Sequence, residues 1–114
     1  MDKSAKEDRI RDMEMALRVA LAAVRPEAYF SWKSMFGGAG FFVDGRIFAA
    51  WFGRELTLKL PEDAGQELVN RGGTARGGKY FELPPGFLDQ PEQLEPWVAR
   101  SVDYVMSLPE KKRR

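Results

Sequence analysis

Three features of this 114-residue chain could carry chemistry. The first is the run from Arg71 to Lys79, Arg-Gly-Gly-Thr-Ala-Arg-Gly-Gly-Lys, which sets three cations (Arg71, Arg76, Lys79) among four glycines. Guanidinium and ammonium groups on pliant backbone suit a loop that contacts phosphate or nucleic acid. A solvated loop with no ligand has the same composition, and no aromatic is interleaved before Tyr80, so base stacking within the run is weak. The second feature is Gly37-Gly38-Ala39-Gly40. A phosphate cradle would need a further glycine or a Lys-Ser/Thr pair and a helix start, but Phe41-Phe42-Val43 follows, so a turn or a close backbone approach fits better. The third is the carboxylates. Asp44 belongs to a turn, Glu62 and Asp63 to a helix start, and Glu55 and Glu82 to strands with no partner at catalytic spacing. Two carboxylates brought together from distant positions would do acid–base work, and spacing alone leaves that open.

Composition narrows these options. The chain has no cysteine and no histidine, which removes thiolate nucleophiles, imidazole acid–base catalysis, disulfides and zinc sites built on those ligands. A net charge of +1 gives no overall field toward a polyanion. No apolar run is long enough to span a bilayer, and the charged N-terminus is no signal peptide. A chain without disulfides suits a reducing, cytoplasmic compartment. The expectation is a non-enzyme with no cofactor, no metal, no membrane contact and no evident small-molecule substrate.

The elements that position these residues centre on Trp32 to Leu60. Asp44-Gly45 between Phe41-Phe42-Val43 and Arg46-Ile47-Phe48 predicts a two-residue type I′ hairpin. Gly53-Arg54 predicts a second reversal, with Phe52 opposite Glu55 and Trp51 opposite Leu56. Strict alternation then sorts Phe42, Ile47, Ala49, Trp51, Leu56, Leu58 and Leu60 onto a core face. The opposite face collects Phe41, Val43, Arg46, Phe48, Ala50, Phe52, Glu55, Thr57 and Lys59. Phe41, Val43, Phe48 and Phe52 left wet would form an unusual apolar patch, so either a helix or another chain covers them. These four are the candidate protein-contact residues.

A strand from about Trp32 to Phe36 precedes this meander. Ahead of it, Ser4-Ala5-Lys6-Glu7 has the form of a capping box, and Ile10, Met13, Leu17, Ala20, Leu21 and Val24 trace a helical core stripe ended by Arg25-Pro26. Pro61-Glu62-Asp63 starts a short helix, stopped at Asn70-Arg71-Gly72-Gly73. Tyr80 to Leu83 reads as a further strand. A last helix begins near Asp89 or Gln90, with Glu92 placed to help cap it. Leu94, Trp97, Val98, Ser101, Val102, Val105 and Met106 form its stripe, and Pro96 marks a kink or a second start. Glu110 to Arg114 is a charged, mostly basic tail.

With these pieces in place, the chain resembles the N-terminal domain of the TfoX/Sxy family. The likeness rests on Met35-Phe36-Gly37-Gly38-Ala39-Gly40-Phe41-Phe42-Val43-Asp44-Gly45 running into Ile47-Phe48-Ala49, then on Leu56-Thr57-Leu58-Lys59-Leu60. Tyr80, Leu83-Pro84 and the final helix with Trp97 add to it, over about residues 9 to 106. The resemblance implies a two-layer α+β domain, with an antiparallel sheet of four to five strands and helices on one face. It also implies a bacterial, regulatory protein of the transcriptional or competence type, and the family offers no catalytic residues to carry over. Its regulators have a second, C-terminal domain, for which this chain leaves no room after Arg114. The expected organisation is one domain over residues 1–114, with a structured core at about 9–106 and a tail at 107–114. The function expected is a non-enzymatic interaction domain with a protein partner or a second copy of itself. The alternative is a nucleic-acid or phosphate binder using Arg71, Arg76, Lys79 and the tail.

Overall fold

The computed structural model describes residues 3–35 and 37–109. Helix α1 (Lys3–Val24) leads into strands β1 (Phe30–Met35), β2 (Gly38–Val43), β3 (Arg46–Trp51) and β4 (Leu56–Lys59). Then come α2 (Glu62–Asn70), β5 (Thr74–Gly77), β6 (Tyr80–Glu82), a 3-10 turn (Phe87–Asp89) and α3 (Pro91–Ser107). The strands form one antiparallel sheet in the order β1-β2-β3-β4-β6-β5. The helices cover one face of it, and the α1 and α3 stripes read from the sequence share a single core with Phe41, Leu58 and Phe81. The sheet has one strand more than the upper expectation. The capping box falls partly outside the described residues: α1 already runs from Lys3, and the Ser4 side chain is not among them. Phe36 and the tail from Glu110 also lie outside.

The hairpin at Asp44-Gly45 closes as its residues dictate. Both take positive φ, 50° and 81°, and Val43 faces Arg46 while Phe42 faces Ile47. The register then shifts. Phe41 faces Ala49 rather than Phe48, so β3 carries one extra residue. A bulge sets two neighbouring side chains against one partner residue and breaks the alternation there. Phe41, Val43, Phe48 and Ala49 all turn inward, each at 0% exposure, and Phe42 and Ile47 remain on the other face. This corrects the expectation of unbroken alternation. Trp51, Leu56, Leu58 and Leu60 are buried as read, but Phe41, Val43 and Phe48 belong to the core and Phe42 and Ile47 do not.

Two other connections differ from the reading. Trp51 faces Leu56 as expected, yet Phe52 and Glu55 stay outside the ladder, so the connection is a four-residue loop. Trp51 Nε1 donates to the Arg54 carbonyl at 2.6 Å and holds it. The Arg71–Lys79 stretch is not one open loop, because Thr74–Gly77 within it is a strand. This strand, β5, pairs with β6 through a bulge between Ala75 and Gly77 and turns at Gly78-Lys79, both with positive φ. Helix α3 is one element through Pro96, so no second start occurs there. Its first residue follows Gln90, which makes no side-chain cap, and Glu92 lies in the first turn.

Two contacts fix the layers to each other. Gly65 lets α2 lie against the Phe81 ring, with which any Cβ at that position would collide. Arg46 reaches from β3 to the end of α3, where Nη1 donates to the carbonyls of Val105 (2.9 Å) and Leu108 (2.7 Å). Carbonyls in a last helical turn lack partners, and a cation there complements the helix dipole. Arg46→Ala is expected to lower the unfolding free energy by about 1.5–3 kcal/mol, with Arg46→Lys recovering part of it. Urea denaturation followed by circular dichroism measures this, and a change under 0.5 kcal/mol, roughly the surface-substitution range, counts against the cap.

Candidate functional site

The residues named from the sequence do not come together as one site. Phe41 is packed between the rings of Phe30 (6.3 Å) and Trp32 (6.4 Å), and with Val43 and Phe48 it lies beneath the helices. The chain's own helices are therefore the cover that these side chains require. Phe52 is 44% exposed and meets Tyr80 edge-on, with ring centroids 6.1 Å apart.

Each of the three cations faces a different carboxylate. Arg71 lies 3.8 Å from Glu67 and Lys79 3.9 Å from Glu62. Arg76 donates to Glu82, whose carboxylate also takes Arg54 at 3.7 Å. Glu55 pairs with Arg9 of α1 at 3.7 Å. Gly38 and Gly40 sit inside the β2 ladder, opposite Met35 and Lys33, so their backbone is used by the sheet. Among the described residues, no three acidic side chains are grouped to hold a metal ion, and no helix is long and apolar enough to cross a membrane.

Two surfaces stand out instead. One is an apolar groove of about 220 Å³ between α1, the 3-10 turn and the start of α3, lined by Met15, Ala16, Val19, Leu88, Pro91 and Glu95 among others. Ala20 and Leu94 form its buried floor. Met15 and Val19 stand one helical turn apart on its rim, 61% and 60% exposed. Glu95 is its one charged lining residue.

The other surface is the helix-free face of the sheet. Lys33, Gly40, Ala50, Thr57 and Glu82 face one another in turn across β1, β2, β3, β4 and β6. A Cβ on Gly40 would strike the Met35 sulfur and stand within 3.4 Å of Ile47 and Phe42, which places all three on this side. Lys33 lies over the Phe42 ring at 5.4 Å and Lys59 over the Tyr80 ring at 5.7 Å. Burial raises the Tyr80 hydroxyl pKa above its ordinary value. Thr57 Oγ1 donates to the Ala50 carbonyl at 2.6 Å, so the centre of the face is polar yet satisfied.

Sequence reasoning missed the groove because it followed one stripe of α1. The signal was present: from Met13 to Val24 only Glu14 and Arg18 interrupt an apolar run, and a helix apolar on most sides has more face than one core can cover.

The family model described as the TfoX N-terminal domain matches residues 10–105. No curated protein matches the chain.

Proposed function

Since the chain belongs to the TfoX N-terminal domain family, we propose that it works as a non-enzymatic, regulatory interaction domain whose contact surface is the α1–α3 groove. The observation that carries this reading is the pair Met15 and Val19, largely exposed beside an apolar groove. Side chains of this kind gain by leaving water, and an amphipathic helix laid in a groove is a common way to cover them. The occupant is a helix of a protein partner. Its apolar face covers Met15, Val19 and Leu88, and a lysine or arginine meets Glu95, which has no ion-pair partner among the described residues. The groove takes the contact role expected of Phe41, Val43 and Phe48, which are buried in the core. Transcriptional or competence-type regulation is the process in which such a contact would act.

A photo-crosslinking residue at position 19, used in the producing cell, is expected to join the chain to one protein. The purified pair then binds with a micromolar or lower Kd, and Val19→Asp weakens it at least about tenfold, or about 1.4 kcal/mol. The melting temperature of the variant stays near that of the parent because the side chain is exposed. Light scattering shows whether the partner is a second copy. Binding unchanged by both Met15→Asp and Val19→Asp would end this reading.

A further inference from the structure

We propose that the helix-free face of the sheet binds single-stranded nucleic acid, stacking bases on Phe42, Phe52 and Tyr80 and holding the backbone with Lys33, Arg54, Lys59 and Arg76. This surface is separate from the α1–α3 groove and does not rest on it.

Charge favours a polyanion. Among the described residues this face sets four cations against one carboxylate, Glu82. Arg54 and Arg76 share that carboxylate, which is about 5% exposed. A buried carboxylate under two guanidinium groups orients them and leaves one positive charge uncompensated near the β6–β5 side of the face. Lys33 and Lys59 have no carboxylate partner among the described residues; each rests over an aromatic ring. A cation over a ring near the surface is weakly held, so a phosphate can draw it off and free the ring for a base.

Shape favours a single strand. Phe42 on β2 and Tyr80 on β6 are three strand spacings apart, about 14 Å, and Phe52 meets Tyr80 edge-on. Gly40, Ala50 and Thr57 between them are small and buried under their neighbours' side chains, so unstacked bases rest on the rings and cations above them rather than on the backbone. Bases stacked on aromatic rings with cations along the backbone are the recurring chemistry of single-strand recognition. A duplex hides its base faces and has no use for the rings. An acidic peptide would use the cations but not the rings.

Fluorescence anisotropy with the full chain and labelled 20-nucleotide oligo(dT) and oligo(U) tests this from 20 to 200 mM salt. Binding is expected to weaken as salt rises. Phe52→Ala and Tyr80→Ala should each weaken it at least about fivefold. Lys33→Ala with Lys59→Ala should shrink the salt slope by about 1.4, two single-strand phosphate contacts. Phe52 and Lys33 are exposed, so their variants keep the fold even if Tyr80→Ala does not. Val19→Asp should leave this binding unchanged, which separates it from the groove reading. Four results would each overturn the proposal: no binding at 20 mM salt, tighter binding of the duplex, equal binding of an acidic peptide, or binding indifferent to Phe52→Ala and Lys33→Ala.

Discussion

Phe41→Ala lowers the unfolding free energy by about 3–5 kcal/mol, the range for removing a fully buried phenylalanine, while Phe42→Ala costs about 1 kcal/mol. The two residues are adjacent and chemically identical, so the difference reports only which face of β2 is covered. Phe41 has no exposure, stacks on Phe30 and meets Trp32 at a tilt, and faces Ala49, too small to fill a vacated ring. Phe42 is half-buried on the open face beneath Lys33. Urea denaturation of both variants decides the matter. Without the bulge the alternation would place Phe42 inside and reverse the order of the two values. A larger loss for Phe42→Ala would therefore refute the register described above.

Trp97→Ala is expected to cost a similar 3–5 kcal/mol, a fall in melting temperature on the order of 10–20 °C for a domain of this size. Trp97 is 6% exposed and does more than fill the core. The Arg100 guanidinium lies over its ring at 4.6 Å and pairs with Glu67 of α2 at 3.1 Å. The indole therefore seats the side chain that ties α3 to α2. Arg100→Ala alone removes a partly exposed pair and costs under about 1 kcal/mol. Thermal melts by circular dichroism measure both, and a Trp97→Ala loss under 1 kcal/mol would contradict its place in the core.

Much of this fold is legible in the residues, and the failures have physical causes. Helix stripes could be read because Ile10, Met13 and Leu17, or Leu94, Val98 and Val102, recur at a spacing that only one conformation turns to one side. The Asp44-Gly45 reversal could be read because few residue pairs accept two positive φ angles. The bulge at Phe48 left no such mark: Ile47-Phe48-Ala49 is apolar throughout, so nothing in residue type separates an alternating strand from an interrupted one. That interruption misplaced Phe41, Val43 and Phe48 as contact residues. Thr74 to Gly77 does not read as a strand because Gly72-Gly73 precedes it, Gly77-Gly78 closes it, and its hydrogen bonds come from β6, paired through tertiary structure rather than local preference. The charges of Arg71, Arg76 and Lys79 were visible, but their carboxylate partners are fixed only once α2 and β6 are in place. The basic, aromatic face draws Lys33, Phe42, Arg54, Lys59, Arg76 and Tyr80 from six separate stretches, which no linear motif can announce.

The irregular β5 also bears on how these molecules behave when crowded. An outermost strand offers unpaired amides and carbonyls that can recruit a neighbour's backbone and seed a growing ribbon. Here that strand is four residues long, is interrupted between Ala75 and Gly77, and bears Arg76. A ribbon extending from it would lose its regular hydrogen-bond spacing within a few residues. The β5 margin of the sheet thus resists fibrous self-addition by its own geometry.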